Sequence, residues 1–424
     1  MLAQGLSHMN AGLPSDDTEQ ALQKIVAVIR QHLDMPFAFL SEFRDGRRYF
    51  RYVDAADAGS FLKVGGSDPL EESYCQRVVD GRLPELIQDA GSNAEALTLP
   101  VTRALPVGAH VSIPIRLADG RVYGTLCCFD TAPDHSLNPR DLNVMKAFGA
   151  IAADLISMSL GKSAAQGEIR DRIGEVIAAG SFQSVYQPIY RVADNQLMGY
   201  EALTRFQAEP YRTPDVWLHE ASEVGLSVGL EYAMARAALA GLRRLPAETT
   251  VAINLSPEAV MTPDFAELLG LQPLRRIIIE LTEHAAVSDY PSLNAALAPY
   301  RENGLRIAAD DAGAGYACFR HVLEIRPDVI KLDLSLTRNI DTDKARASLA
   351  GALTMFGKNI GSEIVAEGVE TLSELDVMRE IGVTKAQGYL LGKPQPLAAA
   401  ASLAPIAALA PILHRAGPAE TRLA

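Results

Sequence analysis

The stretch Arg306 to Phe319, RIAADDAGAGYACF, decides the reading of this 424-residue chain. Its short apolar run Ile307-Ala308-Ala309 ends in two adjacent carboxylates, Asp310 and Asp311, followed by glycines at 313 and 315. Read as a strand, the run delivers both acids at its carboxyl end, into a glycine-rich loop that lets backbone come close to a ligand. Side-by-side carboxylates repel each other, and a cation between them relieves the repulsion. The same letters also describe an Asp-rich turn whose side chains bond their own backbone. The surrounding sequence has to choose.

Outward from this stretch, strand-like segments end near Ile189, Leu203, Asn254, Leu281, Asp310, Leu332, Glu367 and Leu391, with helical periodicity between most of them. Strand and helix alternating at this length predict a parallel sheet, and about eight repeats predict a closed barrel. One join departs from the pattern: only about seven residues separate SVYQPIY from LMGYEALTRF, too few for a parallel crossover, so the first two strands are expected to be antiparallel.

A barrel concentrates its chemistry at the carboxyl ends of its strands. Polar residues stand there: Glu201 in GYEALTRF, Asn254 in VAINLS, Glu280 in RIIIEL, Asp310 and Asp311, Lys331 in DVIKLD, Glu367 in EIVAEG and Gln387 in AQGYLLG. Ser256-Pro257 already supplies a helix cap and first helical residue, which leaves Asn254 without that duty. Thr282 is expected to cap the helix after Glu280, and Glu283 reads as loop-anchoring. Lys331, between Ile330 and Leu332, is costly to bury unpaired; Asp333 on the same strand face offers one partner and, like Glu283, reads as loop-anchoring. Carboxylates and an amide oxygen converging from separate strands are hard ligands suited to Mg²⁺ or Mn²⁺. No His/Cys set for zinc and no HExxH accompany them. Two such ions about 4 Å apart can activate a water and stabilise an in-line phosphoryl displacement, with Asp310 and Asp311 as the natural bridging pair.

The amino-terminal part reads differently. Leu22, Ile25, Val26, Ile29 and Leu33 recur at helical spacing after Asp16-x-x-Glu19, a capping-box pattern. Phe37, Phe39 and Phe43 alternate toward Asp45-Gly46, and a second alternating pair of runs turns at Asp119-Gly120. Two hairpins enclosing helices, including a helix-like LEESYCQRVVDGRL, indicate an α+β domain with an antiparallel sheet. A helix from Pro139 to Ile156 carries Leu142, Met145, Phe148, Ala152 and Leu155 on one stripe; Gly161 weakens it and another is expected from Glu168.

A formal charge of −13 without a Lys/Arg run argues against binding a nucleic-acid polymer. The four cysteines, Cys75, Cys127, Cys128 and Cys318, lack CxxC spacing and read as reduced thiols of a cytoplasmic protein, each of Cys75 and Cys127 as a small buried hydrophobe in preference to a chromophore or redox site. The amino terminus lacks signal-peptide features. Leu397 to Leu413 is apolar but Ala-rich and broken by Pro405 and Pro411, so no membrane insertion is expected.

The motifs YQPI at 186–189, EALTRF at 201–206, NLSP at 254–257, ELTE at 280–283, DDAGAGY at 310–316, IKLD at 330–333, AEGVE at 366–370 and QGYLLGKP at 387–394 resemble those of the EAL domain, a bacterial phosphodiesterase family that linearises cyclic di-GMP. SYCQRVVDGRLPELIQDA and GRVYGTLCCFD resemble a GAF sensory domain. The resemblances imply an EAL-type TIM-like (β/α)8 barrel with an antiparallel first strand and an α+β GAF domain. The expected layout is GAF at 1–160, a helical linker at 161–180, the barrel at 181–405 and a tail at 406–424. They further imply a cyclic-guanylate-specific phosphodiesterase, a homodimer, with two Mg²⁺ or Mn²⁺ ions and an unidentified GAF ligand. A silent cyclic di-GMP receptor and an interaction scaffold are the alternatives.

By position, the family's metal ligands fall on Glu201, Asn254, Glu280, Asp310 and Asp311. Glu367 would bind metal or serve as base, Lys331 would orient water or screen phosphate, and Gln387 would position the water and metal shell. Arg205 would meet a substrate phosphate, and Gln187 and Pro188 would border a guanine. Ala312 stands where the family usually has an aromatic residue, which affects the loop thought to couple dimerisation to metal binding.

Overall fold

The computed structural model describes residues 16–57, 61–281, 287, 289–312 and 316–403, without the side chains of Asp16, Asp311 and residues 316–319. The chain divides into two compact units, Met1–Glu168 and Ile169–Ala424.

In the first unit, α1 (Asp16–His32) buries Leu22, Val26 and Ile29, the helical stripe the spacing requires. Strands β1 (Phe37–Arg44), β2 (Arg47–Ala55), β3 (Ser67–Pro69), β4 (Leu86–Ile87), β5 (Ala109–Arg116) and β6 (Val122–Asp130) form one antiparallel sheet in the order β3-β2-β1-β6-β5-β4. The β1/β2 hairpin turns on Asp45 and Gly46, both in the left-handed region at φ 51° and 71°, as a two-residue turn matching strand twist demands. The helix expected over LEESYCQRVVDGRL is shorter: α2 covers only Tyr74–Val79. Ser73 adopts extended backbone and accepts from the Gln76 N–H, so the helix starts there.

Gly124 shows how closely β1 and β6 approach: a Cβ there would lie 1.8 Å from the Ser41 carbonyl oxygen. Gly124→Ala is therefore expected to cost about 3 kcal/mol through forced strand separation. In α4 (Pro139–Ala179) a Cβ at Gly161 meets nothing within 4 Å, so Gly161→Ala is expected to stabilise by about 0.5–1 kcal/mol. Urea unfolding of the two variants measures both, and equal effects would contradict this packing.

The break expected near Gly161 is absent; α4, which follows the short α3 (Pro100–Ala104) and strands β5 and β6 in the chain, runs unbroken for 41 residues. Its early turns bury Met145, Ala152 and Ile156 in the first unit, and its last turns bury Ile173 and Val176 against Trp217 and Leu230 in the second. Tertiary packing at each end thus overrides the helix-weakening glycines. It is also the one helix among the described residues long and apolar enough to cross a membrane by length and composition, though 22% of that window is buried. Of the apolar 397–413 stretch, a helix over Leu397–Ala400 is described and residues beyond 403 are not.

The second unit is a closed barrel of β7 (Phe182–Arg191), β8 (Leu197–Phe206), β9 (Thr250–Leu255), β10 (Ile277–Leu281), β11 (Arg306–Ala312), β12 (Val329–Leu332), β13 (Glu363–Ala366) and β14 (Lys385–Ala386). Neighbours from β8 to β14 pair in parallel, whereas β7 runs antiparallel to both β8 and β14 and closes the ring. The reversed first strand follows from the short β7/β8 connection. The eighth strand corrects the sequence reading: it ends at Ala386, well before Leu391. A Cβ at Gly388 would lie 2.1 Å from the Val369 carbonyl oxygen, so the chain leaves the sheet through a close backbone contact that only glycine permits.

Side chains alternate across each strand, and the inward ones form two storeys. The lower is apolar: Ile189, Ala252, Ile278, Ala308, Val329 and Val365 pack as one buried cluster. Two residues beyond each of the last five stand Asn254, Glu280, Asp310, Lys331 and Glu367; two residues before Ile189 on the reversed strand stands Gln187. The upper storey is therefore the same face of the same strands, shifted by one side-chain repeat.

Candidate active site

Lys331 occupies the middle of the upper storey, with its side chain 2% exposed. Its Nζ lies 2.7 Å from Glu367 Oε1, 2.9 Å from Glu280 Oε2, 3.0 Å from Asp310 Oδ1 and 3.6 Å from Glu201 Oε1. Four strands thus bring a carboxylate to one ammonium. Gln387, just past β14, donates from Nε2 to Glu201 Oε2 at 2.5 Å and to Glu367 Oε1 at 3.3 Å. Its Oε1 is buried with no hydrogen-bond partner among the described residues. Asn254 stands opposite Glu280 in the β9/β10 register.

The backbone explains why Asp310 reaches this point. Ala309 pairs with Ile330 but Ala312 with Leu332, so three steps on β11 match two on β12. The extra residue is a bulge at the aspartates themselves, the kind of insertion that re-aims side chains at barrel rims.

Charge crowding shapes the acids. Burial pushes the Glu280 carboxyl well above the glutamate range, and repulsion from Glu201, Asp310 and Glu367 reinforces this against the pull of Lys331. Burial also pushes Glu367 up to about 8, with Asp310 and Glu201 adding to it and Lys331 opposing. Burial alone would lower Lys331, yet the four carboxylates hold it well above its usual value. The folded state therefore holds a proton on Glu367 that an unfolded glutamate, titrating near 4.5, releases. Its contribution to stability is full below pH 4.5 and lost as pH rises through about 8. Lys331 adds no slope there, because its own contribution is complete below its ordinary 10.5. Metal-free protein is expected to lose thermal stability between pH 5 and 8; a melting temperature that rises across this window would contradict the geometry.

Asp333 does not pair with Lys331. It sits one residue past β12 and caps the following helix, Leu334–Thr337, accepting from the Ser335 N–H at 2.9 Å. The lysine finds its partners across the lumen instead, where four acids outbid one neighbour. Arg205 lies exposed four residues beyond Glu201 on the same face of β8, its Nη1 donating to the Thr204 carbonyl. Gln187 is buried opposite Glu201 and donates to the Gly392 carbonyl at 3.3 Å. The Pro188 ring packs against the backbone of Gly392. Thr282, Glu283 and the side chain of Asp311 lie outside the described residues.

Two supporting acids escaped the sequence reading. Glu231 accepts the Ser256 N–H at 2.7 Å and so anchors the turn after Asn254; no local pattern announces it. Glu374 accepts from the backbone N–H groups of Asn339, Glu370 and Thr371, fixing the loop after Glu367. It completes a capping box with Thr371, a T-x-x-E spacing visible in the sequence.

The donor chemistry suits a hard divalent cation: carboxylates converge where one ammonium already sits, and a buried amide oxygen has no partner. As the side chains stand, no group of three or more His, Cys, Asp or Glu among the described residues is placed to hold a metal ion, since Lys331 holds the shared point.

The family model described as EAL domain matches residues 168–394. The chain belongs to the EAL family. A GAF domain model matches residues 15–157, so an EAL barrel follows a GAF domain. An uncharacterized signaling protein of Caulobacter vibrioides is 28% identical over 365 residues, covering 82% of this chain and 43% of its own. PdeD of Escherichia coli, named a probable cyclic di-GMP phosphodiesterase, is 31% identical over 234 residues, 52% of this chain and 43% of its own. This EAL protein thus spans less than half the length of either relative. Among solved structures, the cGMP-bound form of EAL enzyme Bd1971 aligns with TM-score 0.54 over 87% of this chain and 92% of that one. At 17% identity the likeness is one of fold.

Proposed function

We propose that this EAL protein is a divalent-metal-dependent phosphodiesterase that opens cyclic di-GMP to linear pGpG, with the GAF domain regulating turnover. The observation that supports this most is the convergence of Glu201, Glu280, Asp310 and Glu367 on one buried point, with Gln387 beside them. Crowding four acids, two of them buried, around one lysine costs stability that a purely structural barrel would not need to give up.

In this reading Glu201, Asn254, Glu280, Asp310, Asp311 and Glu367 would hold two Mg²⁺ or Mn²⁺ ions. When bound, such ions activate water and neutralise charge developing on the phosphoryl oxygens. Glu367 would either complete the metal shell or take the proton of the attacking water. Lys331 orients that water or screens the phosphate, and Gln387 fixes the carboxylate rotamers through its two amide hydrogen bonds. Arg205 meets a substrate phosphate with its forked donors, and Gln187 and Pro188 border a guanine. The chain acts in the cytoplasm as a homodimer, its barrel spanning about 181–405.

Incubation of purified protein with cyclic di-GMP and Mg²⁺, followed by product chromatography, tests the reading. Tight binding without pGpG would make the protein a receptor, and no binding would make it a scaffold. Calcium is expected to bind but support little turnover, because its coordination is longer and looser than that of Mg²⁺. Equal rates with the two metals would contradict this account of the ligand set.

A further inference from the structure

The GAF domain holds a group of reactive side chains that the barrel chemistry does not use. Arg48 on β2 is buried, and its Nη1 donates to Cys75 Sγ at 2.9 Å while its Nε donates to Asp68 Oδ1 at 3.0 Å. Cys75, on α2, is fully buried and free, and its sulfur also accepts a hydrogen bond from Cys127 on β6. Cys127 Sγ lies 3.0 Å from His110 Nε2 on β5. His110 is 3% exposed, and its Nδ1 has no hydrogen-bond partner among the described residues. Arg48, Cys127 and His110 line a cavity of about 140 Å³ walled by Phe39, Phe50 and Phe129; Cys75 lies outside this lining and meets it through its hydrogen bond from Arg48. Both cysteines are buried, as the sequence reading expects, and polar groups reach them from other strands.

We propose that Cys75 and Cys127 form a dithiol modification site, oxidised to an intramolecular disulfide by a small hydroperoxide entering this cavity. The buried guanidinium beside Cys75 favours an anion there and disfavours a metal cation, although two thiols and an imidazole lie close together. Burial alone would raise the Cys75 thiol; the hydrogen bond from Cys127 and the charge of Arg48 outweigh it and bring it down to about 6. Cys127 moves upward, through burial and because it donates to Cys75, and stays a thiol. The other groups around the pair, Asp68, His110, Thr125 and Cys128, add no second cation: burial and Arg48 hold His110 neutral, down to about 3.

The chemistry balances in two steps. The Cys75 thiolate attacks one peroxide oxygen, the O–O bond breaks, and the leaving hydroxide or alkoxide takes a proton from solvent, leaving a sulfenic acid. The Cys127 sulfur then attacks the Cys75 sulfur, and its thiol proton leaves with the departing hydroxide as water. Two thiols lose two electrons and one peroxide gains them. Disulfide formation requires the two sulfurs to close to bonding distance between α2 and β6.

The test uses the full chain, reduced, then exposed to hydrogen peroxide and read by intact mass and peptide mapping. Wild type is expected to lose two hydrogens and yield a Cys75–Cys127 cross-linked peptide that dithiothreitol reverses. Cys127→Ser should stop at one added oxygen on Cys75, trapped by dimedone, and Cys75→Ser should slow oxidation at position 127 by about tenfold or more. Thiolate absorbance of wild type, less that of Cys75→Ser, should titrate with a midpoint near 6. A cross-link through Cys128 or Cys318, oxidation of Cys127 undiminished in Cys75→Ser, or a titration midpoint near the ordinary 9 would each overturn the proposal.

Discussion

Lys331→Met is expected to destabilise the metal-free protein by about 3–5 kcal/mol at pH 7.5, the cost of leaving buried charges without their counter-charge. The lysine is the only cation within contact of Glu201, Glu280, Asp310 and Glu367 among the described ion pairs. Methionine keeps most of the volume, so the loss measures charge more than packing. Two controls separate this from a packing defect. Raised from pH 7.5 to pH 9, the loss should grow, because Glu367, held up to about 8, then gives up its proton beside Lys331 in the wild type and has no counter-charge in the variant. Addition of Mg²⁺ should restore part of the stability to the variant. Urea unfolding that shows the same loss at both pH values, and no response to the ion, would mean the four acids do not act on one another as their positions indicate.

Asp310→Asn, with Glu201→Gln beside it, should behave in the opposite way. Each variant removes one negative charge from a crowded buried set while leaving the side chain's shape, so the metal-free fold should hold or gain stability. Turnover of cyclic di-GMP, in contrast, should fall by more than about 100-fold, since loss of even an outer supporting contact to a metal ligand costs 10–100-fold. Circular dichroism melting and product assays on the same preparations give both readouts. Variants that unfold would assign these acids to structure, and variants that keep full turnover would remove them from the proposed mechanism.

Most of the barrel was legible because each of its signals is local. The short join between β7 and β8 predicts their antiparallel pairing, and polar residues in apolar runs mark the mouth. What escaped depends on contacts distant in sequence. Nothing around Lys331 tells that its partners lie 21 to 130 residues away and that Asp333, two residues on, turns aside to cap a helix. The eighth strand was misplaced because two residues are too few to show alternation, and its true end is set by a backbone contact at Val369. Cys75 looked inert because Arg48 reaches it from another strand.

The apolar storey beneath the acids has a consequence for how the protein can change over time. The void between the storeys measures only about 20 Å³, roughly a single water, and Lys385 beneath is tied to Glu363, itself joined to Arg306. Nothing the size of a substrate passes through the barrel from below. The lower side chains are therefore free to drift among hydrophobic alternatives of matched volume without touching reagents, and the rim is free to diversify without loosening the foundation.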